Sequence, residues 1–195
     1  MTPSTPADRF EVIMGAVLTQ NTAWTNVEKA LDQLRQRRVR LPRDVLALPT
    51  ASLAAMVRSS GYFNQKARKL RSLSARFDAR GALGPRAAPS RDSLLAEWGV
   101  GPETADSILL YAFQVPVFVV DAYTRRILSR IGLIRGTEPY DEIQALFHGA
   151  LEPEAPLFNE YHALIVEHAK RHCRTRPVCA ECPVTRCEHA RRHRP

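Results

Sequence analysis

The chain has 195 residues, 45% of them hydrophobic, and its 28 Lys and Arg outnumber its 20 Asp and Glu to give a formal net charge of +8. This length is enough for one domain or two small ones around a real core, and the hydrophobic fraction excludes a largely disordered chain. No apolar run approaches the ~20 residues of a membrane-spanning helix, and the first residues lack the pattern of a secretory signal, so we expect a cytoplasmic protein without a membrane partner.

Apolar residues recur at helical spacing through most of the chain, which predicts an all-α fold of nine or ten short helices. Residues 27–34 follow the i, i+3, i+4, i+7 pattern, and residues 105–112 and 143–150 repeat it. The only strand-like run, residues 115–120, is short and contains a proline. We therefore expect a buried connector there rather than a strand.

Residues 92–113 predict two short helices joined by a tight turn at Gly99-Val100-Gly101. Asp92 is the expected N-cap of the first helix, and Pro102 takes the favoured first position of the second. The two glycines allow the backbone to approach a ligand closely, and the N–H groups at the start of the second helix can hold a phosphate without reading bases. An ordinary helical turn is the structural alternative.

Asp121 follows directly after the apolar run at 115–120. An acid in this place is often a helix N-cap, which is a purely structural role. It is also a place where catalysis can use a carboxylate whose pKa the surroundings have tuned.

The basic excess is concentrated at the carboxyl end. Residues 170–195 carry eight Lys and Arg and two acids, and so account for +6 of the net charge. Such clustering suits a polyanionic partner, with nucleic acid as the first interpretation, whereas a solvated, solubilising face is the alternative.

All four cysteines lie in this tail with the spacing C-x5-C-x2-C-x4-C: Cys173, Cys179, Cys182 and Cys187. In a cytosolic chain this pattern favours a metal centre over disulfides. Four thiolates suit either zinc or a 4Fe–4S cluster. A single C-x2-C pair with wider flanking gaps favours iron–sulfur, with zinc as the second interpretation.

These features together resemble the endonuclease III superfamily of DNA glycosylases over nearly the whole chain. The resemblance rests on the hairpin, on Asp121, on the four-cysteine loop, on residues 15–22 (GAVLTQNT) and on residues 61–67 (GYFNQKA). It is greatest to a branch, related to endonuclease III, that includes a bacterial 3-methyladenine DNA glycosylase.

The resemblance implies a helix-hairpin-helix fold in two domains with a cleft between them. The first would be a six-helix domain over residues 1–115, containing the hairpin. The second, residues 116–195, would hold a 4Fe–4S cluster in the loop 173–187. The partner would be double-stranded DNA with a damaged base, bound by a monomer in the cytoplasm at the nucleoid.

The same resemblance implies a role for individual residues. Asp121 would be the catalytic carboxylate, and Gly99, Val100 and Gly101 would hold a phosphate, with a monovalent cation as a candidate bridge. Gln20, with Asn21, would fill the gap left by the flipped nucleotide.

Trp24 lies four residues after Gln20, which predicts one shared helical face and a base-pocket role in which Trp24 stacks on the flipped base. The structural interpretations are a helix-end polar pair for Gln20 and Asn21, and a core tryptophan for Trp24.

Three departures from the family pattern matter. Glu103 stands where bifunctional members carry a catalytic lysine, so abasic-site lyase activity is expected to be absent or feeble, and Glu103 itself supports the water or caps a helix. Two cysteine gaps are one residue shorter than usual, and only seven residues precede the segment that starts at Asp8.

The sequence therefore predicts a monofunctional DNA glycosylase that flips and excises alkylated purines. A second enzymatic interpretation is an endonuclease III-type enzyme that acts on oxidised pyrimidines with lyase activity. Two non-enzymatic interpretations are a catalytically degenerate DNA-binding paralogue and a zinc-bound DNA-binding module.

Overall fold

The computed structural model of the chain describes residues 2–193, so Arg194 of the basic tail lies outside the described residues. Within residues 2–193 the structure contains helices and no strand, which confirms the all-α prediction. The α-helices are α1 (Pro6–Leu18), α2 (Trp24–Gln36), α3 (Pro42–Ala47), α4 (Thr50–Met56), α5 (Phe63–Phe77), α6 (Arg91–Leu95), α7 (Pro102–Ser107), α8 (Ala122–Ile131), α9 (Tyr140–Ala150), α10 (Ala155–Arg171) and α11 (Glu188–His193). A 3₁₀ turn, Arg58–Ser60, precedes α5, and a π-helical turn, Ile108–Ala112, continues α7.

The described part of the chain thus has more helices than the nine or ten expected. Several of them have only five to seven residues, which is too short for a helical repeat to appear in the sequence. No helix of residues 2–193 is long and apolar enough to cross a membrane.

The chain divides into two compact units between Val115 and Pro116. In the first unit, α1 is the central helix, and it contacts α2, α5, α7 and the π-helical turn. Its start is fixed by a capping box, because Thr5 Oγ1 accepts from Asp8 N at 3.1 Å while Asp8 Oδ2 accepts from Thr5 N at 2.9 Å. The face that includes Ile13 and Val17 is completely buried.

The hairpin begins earlier than the sequence analysis predicted. The N-cap of α6 is Ser90, whose hydroxyl accepts from Ser93 N at 3.2 Å, so the assignment of Asp92 as N-cap was wrong. Serine caps a helix as well as aspartate does, and with Ser90 in that position Asp92 lies in the first turn. Arg91, the first residue of α6, pairs with the fully buried carboxylate of Asp106 on α7 at 2.8 Å. This ion pair joins the two hairpin helices.

In the second unit an extended segment leads into α8. Residues 117–120 are buried and form no strand, which confirms the expected connector. The backbone groups of the segment bond to side chains of α9 instead of to a sheet. Phe118 N donates to His148 Nε2 at 3.0 Å, Gln144 Nε2 donates to Phe118 O at 2.6 Å, and Val120 N donates to the Tyr140 hydroxyl at 3.2 Å. These bonds satisfy buried backbone groups and fix the segment that ends at Asp121.

Candidate active site and nucleic-acid interface

Asp121 is the N-cap of α8. Its Oδ1 atom accepts from Thr124 N at 2.7 Å and from Thr124 Oγ1 at 2.9 Å, so one carboxylate oxygen is fully engaged in capping. The other oxygen, Oδ2, lies 3.6 Å from Nε2 of His162, and only 14% of the Asp121 side chain is exposed. The capping role that the sequence allowed for Asp121 is confirmed, and one oxygen remains directed toward the imidazole.

Two opposing effects set the pKa of Asp121. Burial alone would raise the pKa, but the neighbouring imidazole of His162 and the bonds from Thr124 outweigh it and hold the pKa below the ordinary value of 3.8. The carboxylate is therefore ionised at neutral pH although it is largely removed from water.

Gln20 lies in the turn between α1 and α2 and reaches two other elements of the first unit. Its Nε2 atom donates to Thr104 Oγ1 at 2.9 Å and to Gly99 O at 3.3 Å, which joins it to the hairpin. Its Oε1 atom accepts from Lys69 Nζ, on α5, at 2.6 Å. The structure thus brings together two of the sequence-predicted residues, Gln20 and Gly99, and adds a lysine that the sequence analysis did not identify.

The hairpin turn has the backbone that its glycines predict. Gly99 has a φ of +78°, a left-handed conformation that favours glycine, and Gly101 is the extended N-cap of α7, with Pro102 at the first helical position as predicted. Val100 is buried, and its N–H donates to Glu97 O at 3.1 Å, which closes the turn. Glu103 is exposed in the first turn of α7, where an acid favours the helix dipole.

Trp24 and Gln20 do not share a helical face, so that part of the sequence reasoning was wrong. Helix α1 ends at Leu18, Asn21 adopts left-handed backbone at φ +53°, and α2 begins only at Trp24 itself. Asparagine tolerates this conformation better than most residues, and it is the sequence signal for the break. The interpretation as a core tryptophan was also wrong, because 49% of Trp24 is exposed.

Trp24 lines a cavity of the first unit that has a volume of about 580 Å³. Its indole Nε1 donates to Glu28 Oε1 at 3.0 Å. The wall combines apolar and aromatic side chains with three carboxylates and one guanidinium: Val12, Ala16, Leu31, Tyr111, Glu11, Glu28, Asp32 and Arg35. Carboxylates beside an aromatic surface favour a flat ligand with positive charge.

Gln20 and Asn21 line a second, polar cavity of about 250 Å³ in the same unit, with Tyr62, Gln65, Lys66 and Lys69. Tyr62 is 66% exposed and adopts left-handed backbone at φ +46°, which is strained for a bulky residue. An exposed aromatic ring beside two amide side chains is suited to contact with nucleobases. The sequence analysis placed Tyr62 within a family segment but gave it no role.

Lys66 is buried at 2% exposure. Its Nζ atom donates to Leu18 O at 2.8 Å and to Ser60 O at 2.6 Å. Burial and the nearby Lys69 lower the pKa of Lys66 to about 8. The bonds to the ends of α1 and of the 3₁₀ turn give Lys66 a structural position within the first unit.

The four cysteines line one pocket in the second unit, together with apolar residues such as Ile127, Val178 and Val184. All four are free thiols of intermediate exposure. No three His, Cys, Asp or Glu side chains among those described are grouped as ligands of a single metal ion. A set of four thiols in a partly apolar pocket has the donor chemistry that suits either a 4Fe–4S cluster or zinc.

Two arginines of α8 hold the cysteine loop. Arg126 Nε donates to Cys173 O at 2.8 Å, and Arg130 donates to Cys173 Sγ at 3.3 Å and to the carbonyl oxygens of Arg174 and Thr175 at 2.5 and 3.0 Å. These hydrogen bonds fix the position of the loop at Cys173. Helix α8 therefore connects Asp121, at its start, with the cysteine loop.

His168 on α10 also borders the cysteine pocket and was missed by the sequence analysis. Its Nε2 atom lies 3.7 Å from Cys182 Sγ. Burial and the neighbouring His172 lower the pKa of His168, which favours the neutral imidazole. His172 and His189, which the sequence placed beside the cysteines, line the same pocket.

The chain matches a known protein family and curated relatives along most of its length. The family described as HhH-GPD superfamily base excision DNA repair protein matches residues 14–153. A Methanocaldococcus jannaschii protein, provisionally named a DNA repair glycosylase, is 42% identical over 187 residues, which cover 92% of this chain and 85% of the relative. The endonuclease III of Thermotoga maritima is 32% identical over 187 residues, which cover 95% of this chain and 85% of the relative.

Solved structures give the same result. A 3-methyladenine DNA glycosylase of H. pylori, bound to 1,N6-ethenoadenine, has 32% identity and a TM-score of 0.72, with 83% of this chain and 85% of that one covered. An endonuclease III trapped as a covalent intermediate with DNA has 28% identity and a TM-score of 0.83, with 95% and 86% covered. These matches confirm the resemblance to the endonuclease III superfamily and the helix-hairpin-helix fold.

Proposed function

The chain belongs to the HhH-GPD superfamily of base excision DNA repair proteins and is a DNA glycosylase of that superfamily, and from this premise we propose that it is a monofunctional enzyme that removes alkylated purines from double-stranded DNA. The observation that carries the proposal is the ionised, largely buried carboxylate of Asp121 at the start of α8. A second residue, Glu103 in the first turn of α7, supports it because we infer from the resemblance that this position carries the lysine of bifunctional family members.

The proposal of a monofunctional enzyme rests on the absence of a suitable amine. Strand cleavage after base removal proceeds through a Schiff base, which a lysine can form and Glu103 cannot. The two lysines on the neighbouring helix α5 are already engaged. Lys66 donates to two backbone carbonyls, and Lys69 donates to Gln20.

Asp121 is the proposed catalytic residue. As the bond from C1′ of the sugar to the base nitrogen lengthens, positive charge develops on the sugar, and an ionised carboxylate near it stabilises that charge. Water then adds its oxygen to C1′ and releases a proton, which the Oδ2 atom of Asp121, the oxygen not used in capping, can accept or pass to solvent. An alkylated purine carries a positive charge before cleavage, so it leaves as a neutral base and needs no acid.

The cavity beside Trp24 supports alkylated purines as the substrate class. Glu11 and Asp32 of its wall pair with Arg35, and Glu28 accepts from Trp24 Nε1. Three carboxylates against one guanidinium leave an excess of negative charge beside the exposed indole, which favours a flat cation over a neutral base. The 3-methyladenine DNA glycosylase of H. pylori among the similar structures agrees with this assignment.

Duplex DNA is the proposed partner, as it is of the endonuclease III in the trapped complex. Backbone groups of Gly99, Val100 and Gly101 are proposed to hold a phosphate, with a monovalent cation as a candidate bridge. Gln20 and Asn21 are proposed to occupy the gap that the flipped nucleotide leaves. The arginines of the carboxyl-terminal tail would add phosphate contacts and make binding salt-dependent.

The four cysteines, Cys173, Cys179, Cys182 and Cys187, are proposed to ligate a 4Fe–4S cluster. The assignment rests on the four cysteines, which line one pocket, and on the single C-x2-C pair with wider flanking gaps, with zinc as the second candidate. When bound, the cluster supplies covalent cross-links that hold the loop folded. The residues of the chain contribute the thiolates and the hydrogen bonds from Arg126 and Arg130 that orient the loop.

One assay distinguishes the proposed activity from lyase activity and from inactivity. Duplexes that each contain a single 3-methyladenine, hypoxanthine, thymine glycol, uracil or abasic site are incubated with the protein and then treated with hot alkali or left untreated. We expect cleavage at alkylated purines only after alkali, and no covalent adduct on addition of borohydride. Cleavage without alkali, or a borohydride-trapped adduct, would indicate a lyase, and no cleavage of any duplex would indicate a degenerate DNA-binding paralogue.

A further inference from the structure

We propose that Lys69 is a positioning residue that holds the Gln20 side chain in a single orientation for entry into DNA. The inference rests on the proposed role of Gln20 and deepens it, because it identifies what fixes the amide group before DNA binds. Lys69 lies on α5, 49 residues away in sequence, and its ammonium group meets the Gln20 amide at 2.6 Å.

The hydrogen-bond partners of Gln20 specify which way its amide points. An ammonium group can only donate, so the atom that faces Lys69 must be the amide oxygen. A backbone carbonyl can only accept, so the atom that faces Gly99 O must be the amide nitrogen. Rotation of the amide by half a turn would oppose donor to donor at Lys69 and acceptor to acceptor at Gly99, so the network selects one rotamer.

Lys69 is itself held in place by the hairpin. Its aliphatic stem crosses the face of Gly99 so closely that a Cβ atom at position 99 would overlap Lys69 Cε. The left-handed φ is what favours glycine at this position, and a Cβ atom there would in addition force the lysine stem to move. Lys66, three residues earlier on α5, is anchored by its two carbonyl bonds and keeps the start of that helix fixed.

This arrangement links the turn after α1, helix α5 and the hairpin in one chain of contacts. Gln20 bonds to Thr104 as well as to Gly99, so the proposed gap-filling residue and the proposed phosphate site are coupled directly. Loss of the Lys69 ammonium would free the amide to rotate. The protein would then have to order the Gln20 side chain during base flipping, which weakens binding to DNA that needs the gap filled.

The test measures the binding of the wild-type protein, Lys69→Met and Lys69→Arg to two duplexes of the same sequence. One duplex is undamaged, and the other contains a tetrahydrofuran analogue of an abasic site. Because the cost is that of ordering one side chain, we expect Lys69→Met to weaken binding of the abasic duplex by about 5- to 10-fold. Binding of the undamaged duplex should change by no more than about threefold, with an unaltered salt dependence. Lys69→Arg should retain most of the affinity because its guanidinium can also donate to the amide oxygen.

A simple phosphate contact would give a different result, since its loss weakens binding of both duplexes alike and lowers the salt slope by about one. Lys29→Met, an exposed lysine on α2, is the matched control for the loss of one positive charge. Equal effects on the two duplexes, or no effect on either, would overturn the positioning role. Urea unfolding of Lys69→Met should match that of Lys29→Met if the variant is folded normally.

Gln20→Ala separates failure of this inference from failure of the proposed function. If Gln20→Ala leaves binding of the abasic duplex unchanged, the gap-filling role itself is wrong. If Gln20→Ala weakens binding and Lys69→Met does not, only the role of Lys69 is wrong. When both are right, the double variant should be no weaker than Gln20→Ala alone, because Lys69 acts through Gln20.

Discussion

The substitution Asp121→Asn separates the two roles that the structure allows for this residue. Asparagine keeps the side-chain oxygen that accepts from Thr124 N and Thr124 Oγ1, at 2.7 and 2.9 Å in the native protein. Asparagine and aspartate cap helices about equally well, so the free energy of unfolding should change by less than about 1 kcal/mol. What the substitution removes is the negative charge and the ability of Oδ2 to accept a proton.

The loss of activity should be much larger than the loss of stability. A preorganised electrostatic group contributes about 100- to 1000-fold to the rate of a step in which charge develops, and a general base contributes on the order of 100-fold or more. We therefore expect the single-turnover rate of base excision to fall at least ~100-fold, which corresponds to about 2.7 kcal/mol. Affinity for damaged DNA should stay within about threefold or rise slightly, because one negative charge near a polyanion is lost.

The assay is single-turnover excision of 3-methyladenine, read as alkali-labile strand breaks, together with DNA binding and urea unfolding of the same preparations. Asp121→Ser also keeps a capping oxygen and should behave like Asp121→Asn. Asp121→Ala loses the cap as well, at a cost of about 1 kcal/mol in the free energy of unfolding. A wild-type rate in Asp121→Asn would refute the catalytic role, and unfolding of that variant would show that the charge acts on stability.

The remaining predictions concern other residues. Trp24→Ala should reduce kcat/KM for 3-methyladenine by about 10-fold or more if the base stacks there. Lys66→Met should lower the free energy of unfolding in urea by about 2–4 kcal/mol, because the carbonyls of Leu18 and Ser60 lose a buried donor. Burial lowers the pKa of Lys66 from 10.5 to about 8. Between these two pH values the unfolded chain binds one more proton than the folded protein, so the free energy of unfolding of the wild-type protein should rise with pH across this window. Cys182→Ser should lower the iron content and visible absorbance of the purified protein.

The sign of the Asp121 titration follows from the same linkage. The pKa of its carboxyl lies below the ordinary value of 3.8 in the folded protein, so its contribution to stability is complete above 3.8 and is lost as pH falls through the lower folded pKa. A loss of kcat/KM that begins well above about pH 5 therefore comes from another group, because a carboxyl with a pKa below 3.8 is almost fully ionised there.

Local features of the fold were predictable because neighbouring residues determine them. Gly99 and Pro102 could be assigned to a turn and a helix start from their backbone preferences alone, and Asp121 could be assigned as a cap from its place after an apolar run. The error at Trp24 has the same origin. The break between α1 and α2 contains neither glycine nor proline. The residue type that indicates it is Asn21, because asparagine tolerates the left-handed conformation that it adopts here.

The contacts between distant segments could not be read from the sequence. Gln20 is 49 residues from Lys69 and 79 from Gly99, and no spacing rule connects positions that only tertiary packing brings together. The resemblance to a family supplied a role for Gln20 but not the group that orients it. The salt bridge from Arg91 to the buried Asp106 was likewise invisible, because neither side chain stands out in a helical pattern.

The structure also changes the meaning of the net charge. Several arginines near the cysteines already bind groups of the protein and are therefore not available to DNA phosphates. Arg126 and Arg130 donate to the cysteine loop. Arg171 pairs with Glu167, and Arg192 pairs with Glu188. Among residues 2–193, no ion pair involves the remaining tail arginines Arg174, Arg176, Arg186 and Arg191. If each of these neutralised one phosphate, the tail would account for a salt slope of only about three to four. The arginines that hold the cysteine loop therefore lie on α8, outside the basic tail, and the tail itself offers fewer charges to phosphate than its composition suggests.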